Sequence, residues 1–303
     1  MNGAPAGALK VVMFPGQGTQ KKGMGGELFK QYPDLEQLAS DILGTSVKTL
    51  CLQDPEGKLS QTRYTQPALF VVNAMHYMAS QHGRPDDEPT VFLGHSLGEY
   101  NALVAAGMLT FSEGLQLVCA RAQAMSNITG GSMSAVIGLT EEAVQWAISA
   151  EALHALDIAN VNTPHQIVIA GPIDDLRAAE GPLIDAGAKL VKPLEVSGPF
   201  HSRHMSPARH ALTPVLDSMK FEQTHHRVIS NTTARAYTAQ TAAVLLAMQI
   251  DSAVRWAQSI YPYLFRNDVR IVEMGGNTLS RMNAQIIRNL ELQGISATKE
   301  GQR

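Results

Sequence analysis

Cysteine is scarce: the 303 residues hold two, Cys51 and Cys119, far apart and each in an apolar stretch. Two thiols cannot build a disulfide framework and suit a reducing compartment. Both read as small buried hydrophobes. Long hydrophobic runs are missing as well, since none reaches the roughly 18 residues of a membrane-spanning helix. Residues 1–9 lack a basic stretch followed by a long apolar one, so no secretory signal is read there. Neither charge sign dominates: Lys and Arg total 24 against 27 Asp and Glu, a formal net charge of −3. That balance gives no broad electrostatic footing for nucleic acid. There are no internal repeats and no low-complexity blocks. The expectation is a cytoplasmic protein that engages neither nucleic acid nor membrane.

What is present is a large apolar fraction, 45% of the chain. It is ample for one large domain, or for a domain with an insert. Lys10 to Phe14 reads as a buried strand stopped by Pro15-Gly16. Residues 66–81 have helical spacing, with Pro67 suited to a first turn. Residues 84–89 read as an exposed loop. A short apolar run, Val91-Phe92-Leu93, reads as a strand, and an amphipathic segment follows from Glu99 to Met108. A helix is expected over 111–128, with Ser112 and Glu113 as its capping region.

The pattern changes after Ile128. Strands are expected at 134–139, 156–162, 166–170 and 189–196, with helices at 141–150 and 173–186. Strand, helix, two strands, helix, strand is the split βαβ, ferredoxin-like order. Helices at 205–219, 239–249, 254–265 and 278–290 and strands at 228–230 and 270–273 return the chain to its main body. The tail after Gly294 is expected to fray. The fold class is therefore α/β. A main subdomain with a mostly parallel sheet spans 1–128 and 198–303. A ferredoxin-like α+β subdomain is inserted at 129–197.

The most informative stretch is Gly94-His95-Ser96-Leu97-Gly98. A G-x-S-x-G pentapeptide between strand and helix is the pattern of a nucleophile elbow. Side chains at the glycines would crowd the turn that lifts the serine oxygen clear of the sheet. The following helix start aims N–H groups and its positive dipole end at that oxygen.

A serine hydroxyl needs a base. Of ten histidines, His201 is the best placed, in Ser197-Gly198-Pro199-Phe200-His201-Ser202 between a strand and a helix. His204 is a possible second functional residue. His82, His165, His210, His225 and His226 lie in polar loop or helix-surface contexts. His95 must lie near the site, in a structural role or in contact with substrate. Acyl transfer also needs oxyanion donors. The Leu97 amide is one candidate. The loop Phe14-Pro15-Gly16-Gln17-Gly18 offers the other, through the Gln17 side chain or a backbone N–H.

These motifs occur together in one order, and the chain resembles malonyl-CoA:acyl-carrier-protein transacylases from about Lys10 to Ile287. The resemblance rests on Phe14-Pro15-Gly16-Gln17-Gly18, Gly94 to Tyr100, Arg121 and Gly198 to Ser202. Asn160-Val161-Asn162, Gln166 to Gly171 and Val254-Arg255-Trp256 match too. Asp41 to Gly44, Tyr64 to Leu69 and Glu99 to Leu103 look most like the discrete, trans-acting acyltransferases of polyketide synthases.

The resemblance implies an α/β-hydrolase-like main subdomain and a ping-pong transfer for polyketide or fatty-acid biosynthesis. Malonyl would pass from malonyl-CoA to Ser96, with His201 as base, then to the phosphopantetheine thiol of an acyl carrier protein. It implies a backbone carbonyl, at Gln249, orienting the histidine in place of an acidic third residue. It implies that Arg121 binds the malonyl carboxylate, as its planar fork suits. Phe200 would disfavour α-branched acyl groups. His95, Asn162 and Gln166 are further candidates for substrate contact. No metal or resident cofactor is expected, coenzyme A entering only as the thioester, and a monomer is expected. Lys192, Arg203 and Arg209 are candidates for a basic rim facing an acidic carrier. Glu273-Met274-Gly275-Gly276-Asn277 departs from the Gly-Pro-Gly common in the family. The alternatives are an editing hydrolase with the same Ser96–His201 pair, against which Arg121 argues, and a non-catalytic docking protein.

Overall fold

The computed structural model describes residues 9–82 and 89–292. The chain opens with strand β1 (Leu9–Phe14), helices α1 (Leu28–Gln31), α2 (Pro33–Leu43) and α3 (Val47–Leu52), and the long helix α4 (Thr62–Gln81). Strand β2 (Thr90–Gly94) and helices α5 (Gly98–Ala105) and α6 (Phe111–Ser126) follow. Next come β3 (Gly131–Ile137), α7 (Glu141–Ala150), β4 (Asp157–Thr163), β5 (Gln166–Pro172), α8 (Ile173–Ala178), α9 (Glu180–Asp185) and β6 (Leu190–Pro193). The last stretch holds α10 (Ser206–Asp217), β7 (Arg227–Ile229), α11 (Ala242–Asp251), α12 (Trp256–Leu264), β8 (Val269–Glu273) and α13 (Thr278–Leu292). Most of the 84–89 loop and the tail after Gly294 lie outside the described residues.

The strands form two sheets. One is parallel throughout, in the order β7-β2-β1-β8. Its central strands are apolar on both faces, as a sheet covered on both sides requires. Val12, Phe14 and Phe92 pack into a core with Phe70, Leu103 and Leu117 from α4, α5 and α6. Val11, Met13, Val91 and Leu93 point the other way, into a core with Trp256, Ile260, Leu279 and Ile286 from α12 and α13. Strand period two thus divides one apolar run between two cores. Each fully buried side chain of this size contributes about 1.5–3 kcal/mol.

The second sheet is antiparallel, in the order β4-β5-β3-β6, with α7, α8 and α9 packed on one face. Strand β4 is pinned at its middle to the segment just ahead of α12. Val161 N–H donates to Val254 O and Val254 N–H to Ala159 O, each at 2.9 Å. Just before the strand, Ala155 O accepts from His204 Nε2 at 2.7 Å, while Asp157 pairs with Arg203. His204 and Arg203 are therefore committed to this junction. Arg209 is likewise paired, with Asp251.

Four local expectations change. Helix α6 is capped by Thr110, not Ser112: Thr110 Oγ1 accepts from Glu113 N–H at 3.2 Å and Glu113 Oε2 from Thr110 N–H at 2.8 Å. Such a cap contributes about 1 kcal/mol. The helix expected over 173–186 is two, α8 and α9. Pro182 has no N–H for Ala178 O, and its ring crowds that carbonyl. The strand expected to reach 196 ends at Pro193, which has no N–H for the ladder. Helices α1, α2 and α3 were not expected. Among the described residues, no helix is long and apolar enough to cross a membrane.

Candidate active site

The C-terminal ends of β1 and β2 open side by side, the usual place for a site in an open parallel sheet. Ser96 leaves β2 with φ +52°. This left-handed backbone at a non-glycine residue is strained, and the two glycines make it attainable. A Cβ at Gly94 would come within 1.9 Å of the Gly98 carbonyl carbon, and one at Gly98 within 2.0 Å of Phe14 O. Asn231, beyond β7, holds the turn from outside. Its Nδ2 donates to Gly94 O and its Oδ1 accepts from Ser96 N–H, both at 2.7 Å.

The Ser96 hydroxyl donates to His201 Nε2 at 2.7 Å, and His201 Nδ1–H donates to Gln249 O at 2.8 Å. The carbonyl accepts only, so the proton sits on Nδ1 and Nε2 is free to take another. His201 also has a positive φ, +60°, and is buried. Burial first, then the charge of Arg121, lowers its pKa to about 3. It is neutral at physiological pH, the state a base needs.

Arg121 projects from α6 and is wholly buried. Nη1 donates to Gln66 Oε1 at 2.6 Å, and Nη2 donates to both Ser96 Oγ and Gln249 Oε1 at 3.0 Å. The guanidinium carbon is 5.2 Å from the centre of the Tyr100 ring. Arg121 Nε is buried without an acceptor, so the fork keeps a donor in reserve. Burial lowers the pKa of Arg121, and the nearby Tyr100 and Glu99 oppose that shift.

The Gln17 side chain is engaged elsewhere: Nε2 donates to Thr62 Oγ1 at 3.0 Å, and Thr62 Oγ1 lies 2.9 Å from Ser197 Oγ. This leaves the Gln17 backbone N–H, rather than its side chain, for a ligand. Leu97 is the buried residue at the N-cap of α5, and its neighbours' amides are taken, Ser96 N–H by Asn231 and Gly98 N–H by His95 O. His95 Nε2 donates to Asn162 Oδ1 at 2.8 Å, and its ring lies 5.9 Å from that of Trp256. Burial lowers its pKa. Phe200 is buried beside the base. Gln166 sits at the turn between β4 and β5, paired with Thr163, and no described contact joins it to Ser96, His201 or Arg121.

Ser96, His201, Arg121 and Gln249 are therefore brought into one cluster, with His95 and Asn162 at its edge. Residues not assigned from sequence complete it: Gln66, Thr62, Asn231, Tyr237 and Glu99. Gln66 and Glu99 lie inside family-like stretches, and that position was their only signal. The Gly275-Gly276-Asn277 turn, which departs from Gly-Pro-Gly, lies between β8 and α13. The Glu273 carboxylate caps α13 by accepting from Leu279 N–H at 3.0 Å and Ser280 N–H at 2.8 Å. No group of residues suited to a metal ion occurs among the described residues.

The chain is similar to known acyltransferases along most of its length. Residues 11–271 match the model of the acyl transferase domain. The polyketide biosynthesis malonyl CoA-acyl carrier protein transacylase BaeC of Bacillus velezensis is 44% identical over 283 residues, covering 92% of this chain and 97% of the relative. The crystal structure of the malonyl CoA-acyl carrier protein transacylase of Burkholderia pseudomallei superposes with a TM-score of 0.87 at 40% identity, over 93% of this chain and 98% of that one. A malonyl-transacylase solved in complex with a type II polyketide acyl-carrier protein gives 0.86 at 32% identity, over 93% and 94%. With the family model matched over residues 11–271 and relatives this similar along most of its length, the chain belongs to the acyl transferase domain family.

Proposed function

We infer that this chain is a malonyl-CoA:acyl-carrier-protein transacylase serving polyketide biosynthesis. The observation that carries the reading is Arg121, whose buried guanidinium touches the oxygen of the nucleophile. A fixed cation there suits an acyl group with its own carboxylate, and a planar fork pairs with one strongly.

In the first half-reaction His201 Nε2 takes the Ser96 proton as Oγ attacks the malonyl thioester. The negative oxygen is received by the backbone amides of Leu97 and Gln17. The intermediate collapses, the C–S bond breaks, and CoA leaves as the thiol with the proton from His201. In the second half, the phosphopantetheine thiol gives its proton to His201 and attacks the malonyl-Ser96 ester. The C–O bond breaks and Ser96 recovers the proton. Gln249 O keeps His201 in one tautomer throughout, so no acidic third residue is required. Coenzyme A is substrate, and no resident cofactor or metal is part of the proposal.

His95 and Asn162 would line the acyl site, and Phe200 would restrict branching beside the thioester. Gln166 has no contact that supports a role. We read 1–128 with 198–303 as an α/β-hydrolase-like subdomain and 129–197 as a ferredoxin-like one. The order β4-β5-β3-β6 supports the second part. A monomer of the cytoplasm, free of nucleic acid and membrane, fits the charge balance and the two free thiols.

The test is transfer of labelled malonyl from malonyl-CoA to a holo acyl carrier protein, with Ser96→Ala as control. Loaded carrier with wild type and none with the variant is expected. Labelled free malonate without loaded carrier would make the protein a hydrolase.

A further inference from the structure

Glu99 takes no part in the steps above, yet it is wholly buried in the first turn of α5. Its described partners are all donors. Oε1 accepts from Asn231 N–H at 2.7 Å and from the Tyr237 hydroxyl at 2.6 Å, and Oε2 accepts from Gln249 Nε2. An ionised carboxylate is the acceptor-only group that satisfies three donors together. Burial raises its pKa, and against the opposing pull of these donors and Arg121 the net value is about 7.

Gln249 links this carboxylate to the site. Its Nε2 also donates to Ser96 O at 2.9 Å, and its Oε1 accepts from Arg121 Nη2 at 3.0 Å. A carboxamide can turn over and exchange its oxygen and nitrogen. Turned over here, its NH2 would face the guanidinium, and its oxygen would face Ser96 O and Glu99. Glu99 supplies the negative charge that makes the turned state costly.

We propose that Glu99 is a positioning residue for malonyl selectivity, holding the Gln249 amide oxygen on Arg121 so that the guanidinium stays fixed beside Ser96 Oγ. The proposal rests on the reading of Arg121 as the malonyl-binding cation. The charged and titratable groups facing Glu99 are Arg121 from α6, Tyr100 from α5, and Tyr237 ahead of α11. Its other partners, Asn231 and Gln249, are neutral. A glutamine at 99 would keep the shape but set an NH2 against one of the present donors.

The experiment compares kcat/KM for malonyl-CoA and acetyl-CoA, with a holo acyl carrier protein as acceptor. The chains are wild type, Glu99→Gln, Gln249→Met and the double variant. The malonyl-over-acetyl ratio should fall about tenfold in each single variant, and no further in the double, as one pathway requires. An unchanged ratio in Glu99→Gln, or losses that multiply in the double variant, would overturn the proposal. If Arg121→Ala leaves the ratio at its wild-type value, the reading of Arg121 itself falls, and the proposal with it.

Should Glu99→Gln chains not fold, Tyr237→Phe probes the same carboxylate. Losing that donor raises the Glu99 pKa, so the ratio should drop near about pH 7 and recover near about pH 9. Because kcat/KM reports the free enzyme, whose His201 is common to both substrates, the ratio cancels the titration of His201. A ratio that stays at the wild-type value at both pH values would overturn the proposal.

Discussion

Arg121 Nη2 and Ser96 Oγ lie 3.0 Å apart, so the nucleophile's oxygen accepts from a cation while donating to His201 Nε2. A malonyl carboxylate on Arg121 would replace the Nη2–Ser96 bond and leave Oγ to His201. On the proposed reading, substrate selection and nucleophile activation share one atom. Removing the guanidinium strands the malonyl carboxylate in a dry site. Arg121→Ala should cost about 3 kcal/mol in malonyl transfer, roughly a hundredfold in kcat/KM. Acetyl transfer should fall less. Equal losses with both acyl-CoAs would remove the carboxylate-binding role.

The same proximity makes the base sensitive to substrate charge. Burial and then the Arg121 charge lower the His201 pKa, to about 3 in the free enzyme. A bound malonyl carboxylate offsets that charge and moves the pKa back up. The base must be neutral to act, so activity is lost as pH falls through its pKa. The acid limb of kcat should therefore lie at higher pH for malonyl than for acetyl. Coincident limbs in stopped-flow acylation would show that Arg121 does not set the basicity of His201.

Thr62 Oγ1 receives the Gln17 side-chain amide and meets Ser197 Oγ, joining the loop after β1 to the loop that carries His201. Thr62→Val keeps the shape and removes both bonds. The Gln17 backbone amide then loses its fixed aim, and one poorly aimed oxyanion donor is expected to cost about tenfold in kcat. KM should hardly move, which steady-state kinetics will read.

Asn231 satisfies Gly94 O and Ser96 N–H at the strained elbow. Asn231→Ala strands both groups where water does not replace the bonds. About 2 kcal/mol of stability should be lost, which for a chain of this size lowers Tm by about 3 °C. Calorimetry checks the shift. An unchanged Tm would mean that the elbow holds its shape without this bond.

Much of this was legible in the chain. Gly94 and Gly98 announce the elbow because only a missing Cβ admits the observed contacts. The apolar runs of β1 and β2 mark strands covered on both faces. The turn chemistry around His201 marks a fixed loop. Less legible were α1 and α3, with four and six residues, too short for helical periodicity to register. The 11-residue α2 did carry signals, Pro33 at its start and Gly44 at φ +67° past its end. Pro182 and Pro193 also carried enough information to place the breaks they cause.

By itself the sequence determined which chemical groups are present and which backbone shapes are allowed: a serine on a glycine turn, a histidine on a rigid loop, an arginine on a helix. These are local properties, set by covalent sterics and short-range spacing. The tertiary structure alone decided how they are partnered. It placed the Gln17 side chain on Thr62. It put Glu99, one residue past the elbow, behind Gln249 and therefore one amide away from Arg121. Partners 128 and 150 positions apart meet through packing. Burial then sets their strength, because a charge removed from water is governed by the few groups that touch it.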